Sequence, residues 1–217
     1  DIGLAFDGDA DRCFLVDETG TAVNPSLLTA LIAARELKKK PGSAIIYNLI
    51  SSRAVREIVE ENGGKPLRSR VGHSYIKAMM AESGAIFGGE HSGHFYFSDF
   101  WRADSGMLAA LHAIAALGES QLTLSELLAP YARYFASGEI NSKVSDSKAI
   151  MAAIKSQYGA KSGVTTDELD GLTIDGDTWW FNVRASNTEP LLRLNVEAKT
   201  QAQMAALRDE VLAVIRG

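Results

Sequence analysis

The sequence holds a single cysteine, Cys13, so neither an intrachain disulfide nor a cysteine-based zinc site can form, and the chain suits a reducing compartment. A cytoplasmic location is the default expectation. Long apolar runs are missing too. The stretches Leu27 to Ala34 and Leu108 to Leu117 fall short of the about 20 residues that a membrane-spanning helix needs, and Thr29 and His112 interrupt them, so no span is expected. The longest basic block is Lys38, Lys39 and Lys40 in a chain of net charge −5, which leaves no footprint for nucleic acid. There is no Gly/Ser linker, low-complexity tract or internal repeat. There is also no initiating methionine or signal-peptide pattern, and Ile2-Gly3-Leu4-Ala5-Phe6 already reads as a buried strand, as expected of a piece of a longer protein.

What is present is enough chain to bury a sizeable core: 217 residues, one or two domains by length. Strand patterns at Ile2 to Phe6 and Cys13 to Val16 flank an acidic loop. Asn24 and Pro25 form a helix start, and Leu27, Leu28, Leu31, Ile32 and Leu37 keep helical spacing until Pro41-Gly42 stops it. Strands at 44–47, 65–70 and 85–87 then alternate with helices at 52–62 and 74–83, which argues for α/β layering. Asp104 is expected to cap a helix over 107–117, and Thr123 or Ser125 to start a short one ending near Pro130. Past Tyr131 the order changes to strand 140–144, helix 148–158, strands 179–183 and 191–198, and helix 202–215. This reads as a separate α+β domain beginning near residue 132.

Three loops could carry chemistry. Asp7, Asp9 and Asp11 alternate along the first, so in extended chain their carboxylates share one face and converge on a divalent cation, Mg²⁺ first. With Glu18 they also match EF-hand positions for Ca²⁺, but Arg12 stands where that loop needs glycine, and strands rather than helices flank it. A haloacid-dehalogenase nucleophile motif fits less well, because Gly8 falls between the first two aspartates. The plain alternative is a solvated acidic turn, which would have to tolerate three close negative charges.

The second loop, Gly88-Gly89-Glu90-His91-Ser92-Gly93-His94, would let backbone approach a ligand while Glu90 and Ser92 bond vicinal hydroxyls and His94 moves protons. It also reads as a glycine-rich turn whose histidines pack on Phe95 and Tyr96. The third, Arg184-Ala185-Ser186-Asn187-Thr188-Glu189-Pro190 with Arg193 beyond it, gathers donors suited to a phosphate monoester, or else is a polar turn with surface arginines. His73 sits at a strand-to-helix junction where helix N–H groups could assist an anion. The Trp179-Trp180-Phe181 run reads as core and sheet surface.

Asp7-Gly8-Asp9-Ala10-Asp11-Arg12, Gly89-Glu90-His91-Ser92-Gly93-His94 and Arg184 to Pro190, in this order, resemble three active-site loops of the α-D-phosphohexomutases, over essentially the whole chain. The resemblance implies an α/β mixed-sheet phosphohexomutase domain followed by a smaller α+β C-terminal domain. Residues 1–20 would close domain 2, 21–131 would be domain 3 and 132–217 domain 4 of a four-domain enzyme around a deep cleft. It implies that Asp7, Asp9 and Asp11 ligate Mg²⁺ beside Arg12. Glu90 and Ser92 would hold the sugar, Arg184, Ser186, Asn187, Thr188 and Arg193 would grip phosphate, and His94 and His73 would serve as proton-moving residues. Where some relatives carry a basic residue near Ile50 this chain has none, and Arg53 is the nearest substitute.

The implied reaction interconverts mannose or glucose 1- and 6-phosphates through a hexose 1,6-bisphosphate. Its phosphoserine lies in domain 1, absent from this sequence, so the chain alone is expected to be inactive. The Glu-x-Ser form of the sugar loop leans toward mannose. A noncatalytic phosphosugar-binding module is the competing reading, and a Ca²⁺-binding structural domain a third.

Overall fold

Apolar runs of four or five residues, each followed by helix-start chemistry, build the first half of the computed structural model, which describes residues 1–186 and 189–217. Two units are present, Asp1–Arg133 and Tyr134–Gly217. The first opens with an antiparallel hairpin of β1 (Gly3–Phe6) and β2 (Cys13–Val16), with Phe6 opposite Cys13 at the loop end. Helix α1 (Pro25–Lys39) starts as its sequence suggests: the Ser26 N–H donates to the Asn24 side chain at 2.9 Å, and Pro25 sits where no helical N–H is needed.

The rest of this unit is a five-stranded mixed sheet with helices on both faces. Strands β3 (Ala44–Asn48), β4 (Lys65–Ser69) and β5 (Phe87–Gly89) are parallel, and β6 (Phe95–Phe97) and β7 (Ala103–Asp104) extend the sheet antiparallel, in the order β4-β3-β5-β6-β7. Helices α2 (Arg53–Glu61) and α3 (His73–Ser83) connect the parallel strands, while α4 (Gly106–Gly118) and α5 (Leu124–Leu128) follow the sheet. The period of two along each strand sorts the core into layers. Ile45, Phe87, Phe95 and Phe97 pack with Leu28, Leu31 and Ile32 of α1 and Ala109 and Ala113 of α4, whereas Ile46 and Tyr96 pack with Ile76 and Met80 of α3.

Several elements depart from the sequence reading: β1, read as a buried strand, leaves Leu4 and Phe6 exposed, and β6 and β7 have no counterpart in it. The strand expected at 85–87 runs over Phe87–Gly89, because parallel pairing of Ile45 with Phe87 and Tyr47 with Gly89 draws the glycines into the sheet. Helix α4 is capped by Ser105, whose hydroxyl accepts from the Leu108 N–H at 3.2 Å. Asp104, one residue earlier, belongs to β7, and its carboxylate meets Lys77 and His94.

The second unit is an antiparallel sheet of order β8-β12-β11-β10-β9, formed by β8 (Phe135–Lys143), β9 (Thr165–Asp167), β10 (Leu172–Asp175), β11 (Trp179–Ala185) and β12 (Leu191–Ala198). Helices α6 (Ser147–Gly159) and α7 (Gln201–Arg216) cover one face, where Ile154, Tyr158, Leu207 and Val211 meet Phe181, Val183, Leu192 and Leu194. Alternation therefore turns Trp180, Asn182 and Arg184 of β11, and Arg193, Asn195 and Glu197 of β12, to the opposite face. The short β9 and β10 carry too little pattern to be read from sequence. The architecture is the α/β mixed-sheet domain followed by an antiparallel α+β domain that the sequence suggests.

Gly89 shows how tightly α1 lies on the sheet. A Cβ there would collide with Thr29 Oγ1 and stand 2.9 Å from Thr29 Cβ, and both residues are buried. Gly89→Ala is expected to destabilise the protein by about 1–3 kcal/mol in urea unfolding, as overpacked cores do, and Thr29→Ala in the same chain should recover much of that loss.

Candidate active site

The acidic loop gathers its carboxylates by turning, not by strand alternation. The Ala10 N–H donates to the Asp7 carbonyl at 3.2 Å, and Ala10 takes a left-handed φ of 58°, which folds Asp11 back beside Asp7 and Asp9. One oxygen from each of the three lies within 4.8 Å of the others. Ligand oxygens around Mg²⁺ at about 2.1 Å are separated by at most about 4.2 Å, so the donor set and its spacing fit that ion with a small closure. Strands flank the loop on both sides, so the helix–loop–helix geometry of an EF-hand is not present.

The charges in the loop are unequally matched. Burial pushes the Asp7 carboxyl up, but hydrogen bonds from the Arg12 Nε at 2.6 Å and the Arg12 N–H at 3.2 Å outweigh it and hold it below the usual range. Asp11 is raised instead, by burial first and then by the negative charges of Asp9, Asp7 and Asp104, against a partial offset from His94. Among the described residues its Oδ1 accepts no hydrogen bond, and Arg12 Nε stands 3.8 Å from it. A close approach underpins the loop: a Cβ on Gly106 at the start of α4 would lie 2.6 Å from the Arg12 carbonyl oxygen and 2.9 Å from that of Ala10.

The glycine-rich loop is joined to the acidic loop through the backbone. Arg12 and His94 form an antiparallel bridge, and the Cys13 N–H donates to the Gly93 carbonyl at 3.0 Å. His94 Nδ1 lies 2.9 Å from Asp104 Oδ2 and 3.8 Å from Asp11 Oδ2, and Lys77 Nζ of α3 lies 2.8 Å from the other Asp104 oxygen. Burial pushes Asp104 up, but the bonds from Lys77, its own backbone and His94 outweigh that and leave it below the ordinary value.

Glu90 is only 2% exposed, and its carboxylate already accepts from the Asn48 amide at 3.3 Å, the Gly72 N–H at 3.1 Å and the Tyr96 hydroxyl at 2.7 Å. Ser92 is half-buried in the same loop. His73 is exposed as the first residue of α3, following the Gly72 that donates to Glu90. Arg53 opens α2, behind its Ser52 cap.

In the second unit, Arg184 and Arg193 face each other directly across β11 and β12. Like charges in that position repel. Glu139 of β8 stands 3.7 Å from Arg184 and 3.6 Å from Arg193, too far for good hydrogen bonds, and the buried Nε atoms of both arginines meet no partner among the described residues. The pair thus keeps planar donors for an anion. Ser186 begins the loop that follows, its N–H bonded to the Leu191 carbonyl at 2.9 Å. Asn187 and Thr188, expected to grip phosphate, lie outside the described residues.

Sequence reading missed Asp104, Lys77, Tyr96 and Glu139. Asp104 sits among helix-start residues, where capping is the ordinary explanation, and the other three carry no local signal of the pairings the fold gives them.

Comparison with known proteins places these features among relatives. The family model described as phosphoglucomutase/phosphomannomutase, alpha/beta/alpha domain III, matches residues 24–134, and that of the phosphoglucomutase/phosphomannomutase C-terminal domain matches residues 139–214. A phosphomannomutase of Methanocaldococcus jannaschii is 44% identical over 215 residues, covering 99% of this chain and 47% of its own length. One from Escherichia coli is 41% identical, covering 100% and 48%. The crystal structure of a phosphoglucomutase/phosphomannomutase family protein from Burkholderia thailandensis superimposes with a TM-score of 0.87 at 30% identity, over 100% of this chain and 46% of that one. The chain spans about half the length of the curated relatives it matches.

Mg²⁺ should relieve the repulsion around Asp11. Saturation at about a hundred times Kd stabilises by about 2.7 kcal/mol, so a rise of several degrees in Tm is expected for the wild type in a thermal melt. Asp11→Asn should lose that rise.

Proposed function

This chain belongs to the phosphoglucomutase/phosphomannomutase family, and on that premise we propose that it forms part of a phosphohexomutase interconverting hexose 1-phosphates and hexose 6-phosphates through a phosphoserine and a hexose 1,6-bisphosphate. The observation that carries the reading is the backbone bridge between Arg12 and His94, which brings a three-carboxylate loop, a cation and an imidazole to one place. Phosphoryl transfer asks for charge compensation, a proton acceptor and a held hydroxyl, and little else.

Asp7, Asp9 and Asp11 hold Mg²⁺, which when bound supplies positive charge for the transferring phosphoryl group. Arg12 adds its guanidinium beside the same oxygens. His94 accepts the proton of the attacking sugar hydroxyl and returns it in the reverse half-reaction, with His73 a second proton-moving candidate. Ser92 and the remaining lone pairs of Glu90 bond the sugar hydroxyls, and the burial of Glu90 makes that recognition rigid. Arg184, Ser186, Asn187, Thr188 and Arg193 grip the phosphate that is not transferred, so that one site serves either end of the bisphosphate.

The phosphoserine belongs to a part of the enzyme outside this sequence, and residues 1–20 end the domain that precedes the mixed sheet. The Glu-x-Ser order of Glu90 and Ser92 leans toward mannose phosphates, and the enzyme works in the cytoplasm. A noncatalytic phosphosugar binder would account for Arg184 and Arg193, but it has no use for converging carboxylates.

Calorimetric titration with mannose 1-phosphate tests the phosphate grip. Wild type is expected to bind and Arg184→Ala to weaken binding by about tenfold or more, the worth of a charged hydrogen bond of roughly 1.5–3 kcal/mol. Equal binding by both would overturn the assignment of Arg184. A coupled mutase assay of this chain alone should show no turnover, and turnover would refute the placement of the phosphoserine elsewhere.

A further inference from the structure

We propose that Asp104 is a positioning residue for the proton-moving imidazole. It accepts the Nδ1 proton of His94, fixes the ring and its tautomer, and leaves Nε2 as the atom offered to the reacting hydroxyl. This rests on the mutase reading for the role of His94, but not for the hydrogen bond itself.

The geometry singles out Asp104 over Asp11. Nδ1 stands 2.9 Å from Asp104 and 3.8 Å from Asp11, and only the first is a hydrogen-bond distance. A carboxylate offers acceptors only, so the nitrogen facing it carries the proton. Asp104 is itself held, since Lys77 takes its second oxygen at 2.8 Å and its side chain is 11% exposed. The Tyr96 ring lies beside His94, with 6.2 Å between ring centres, and Lys77 stands 5.9 Å from the Tyr96 centre.

The backbone that delivers Asp104 is strained, which suggests a task beyond packing. Asp104 pairs with Tyr96 in the β6–β7 hairpin, and the Ser105 N–H donates to the Phe95 carbonyl at 2.9 Å. The turn of that hairpin puts Trp101 and Arg102 in succession at φ 52° and 56°, with Ala103 N–H closing on the Phe100 carbonyl at 2.8 Å. Left-handed backbone at two bulky residues is unfavourable, and glycine or asparagine would adopt it more readily. The hairpin ends in a two-residue strand whose one carboxylate meets His94.

Asp104 also falls in a cluster with Asp11 and His94 whose potential ligand atoms lie within 4.8 Å of one another. A cation held through Nδ1 would have to displace its proton and sit beside the Lys77 ammonium. The positioning role needs neither.

Long-range ¹H–¹⁵N correlation spectra of the ¹⁵N-labelled chain, at a fixed pH where the imidazole is neutral, read the tautomer directly. Wild type is expected to show His94 protonated on Nδ1, and Asp104→Ala to shift it to the Nε2–H form while the other three histidines keep theirs. An Nε2–H wild type overturns the proposal whether or not the variant folds, and so does an unchanged tautomer in a folded variant. The Mg²⁺-dependent rise in Tm should survive Asp104→Ala, and its loss would make Asp104 a ligand instead. In the complete enzyme the same substitution should lower kcat roughly a hundredfold with little change in KM. Failure of mannose 1-phosphate to bind would count against the mutase reading and leave the tautomer result standing.

Discussion

Negative charge held close together is the constraint around which the first unit is organised. Asp7, Asp9 and Asp11 are brought within reach of one another by a turn that includes a left-handed alanine, and the Asp11 carboxyl is raised by burial first and then by its acidic neighbours. Arg12 neutralises one side of the loop. On the other side Asp104, itself an acid, is stabilised by Lys77 and faces His94, so the site alternates acid and base from the hairpin loop to α3. In the proposed reading, a divalent cation beside Asp11 would offset the charge that these acids hold together.

The second unit poses the same problem with the opposite sign. Directly opposed arginines on β11 and β12 are partly balanced by Glu139 at distances too long for hydrogen bonding, which leaves donor capacity in a sheet face that also carries the paired Trp180 and Glu197. A residue that neutralised the pair fully would compete with any anion. In the proposed reaction the acidic loop would serve the phosphoryl group in transit and the arginine pair the phosphate at rest.

Much of this was legible because local chemistry and tertiary structure agree. Asn24-Pro25 started α1, the run Cys13 to Val16 became β2, and Leu191 to Ala198 became β12. The elements that escaped are short or glycine-rich: β6, β7, β9 and β10 have two to four residues each, too few for a period to emerge, and they exist because neighbouring strands offer them hydrogen bonds. The shift of β5 onto Gly88 and Gly89 has the same origin, since register with β3 outweighs the weak strand preference of glycine.

The residue types of the site, three aspartates with an arginine, a glycine-rich loop ending in histidine, and an arginine-flanked polar loop, were determined by the sequence by itself, because each is a contiguous motif whose chemistry depends on composition and spacing. Which atoms meet was decided only by the tertiary structure. Glu90 is enclosed by Asn48, Gly72 and Tyr96, and His94 is bound to Asp104 rather than to Asp11 of the acidic loop. Lys77 comes from a helix 27 positions before the acid it holds. These pairings depend on sheet order and strand register, which arise from long-range contacts and leave no trace in the spacing of residues along the chain.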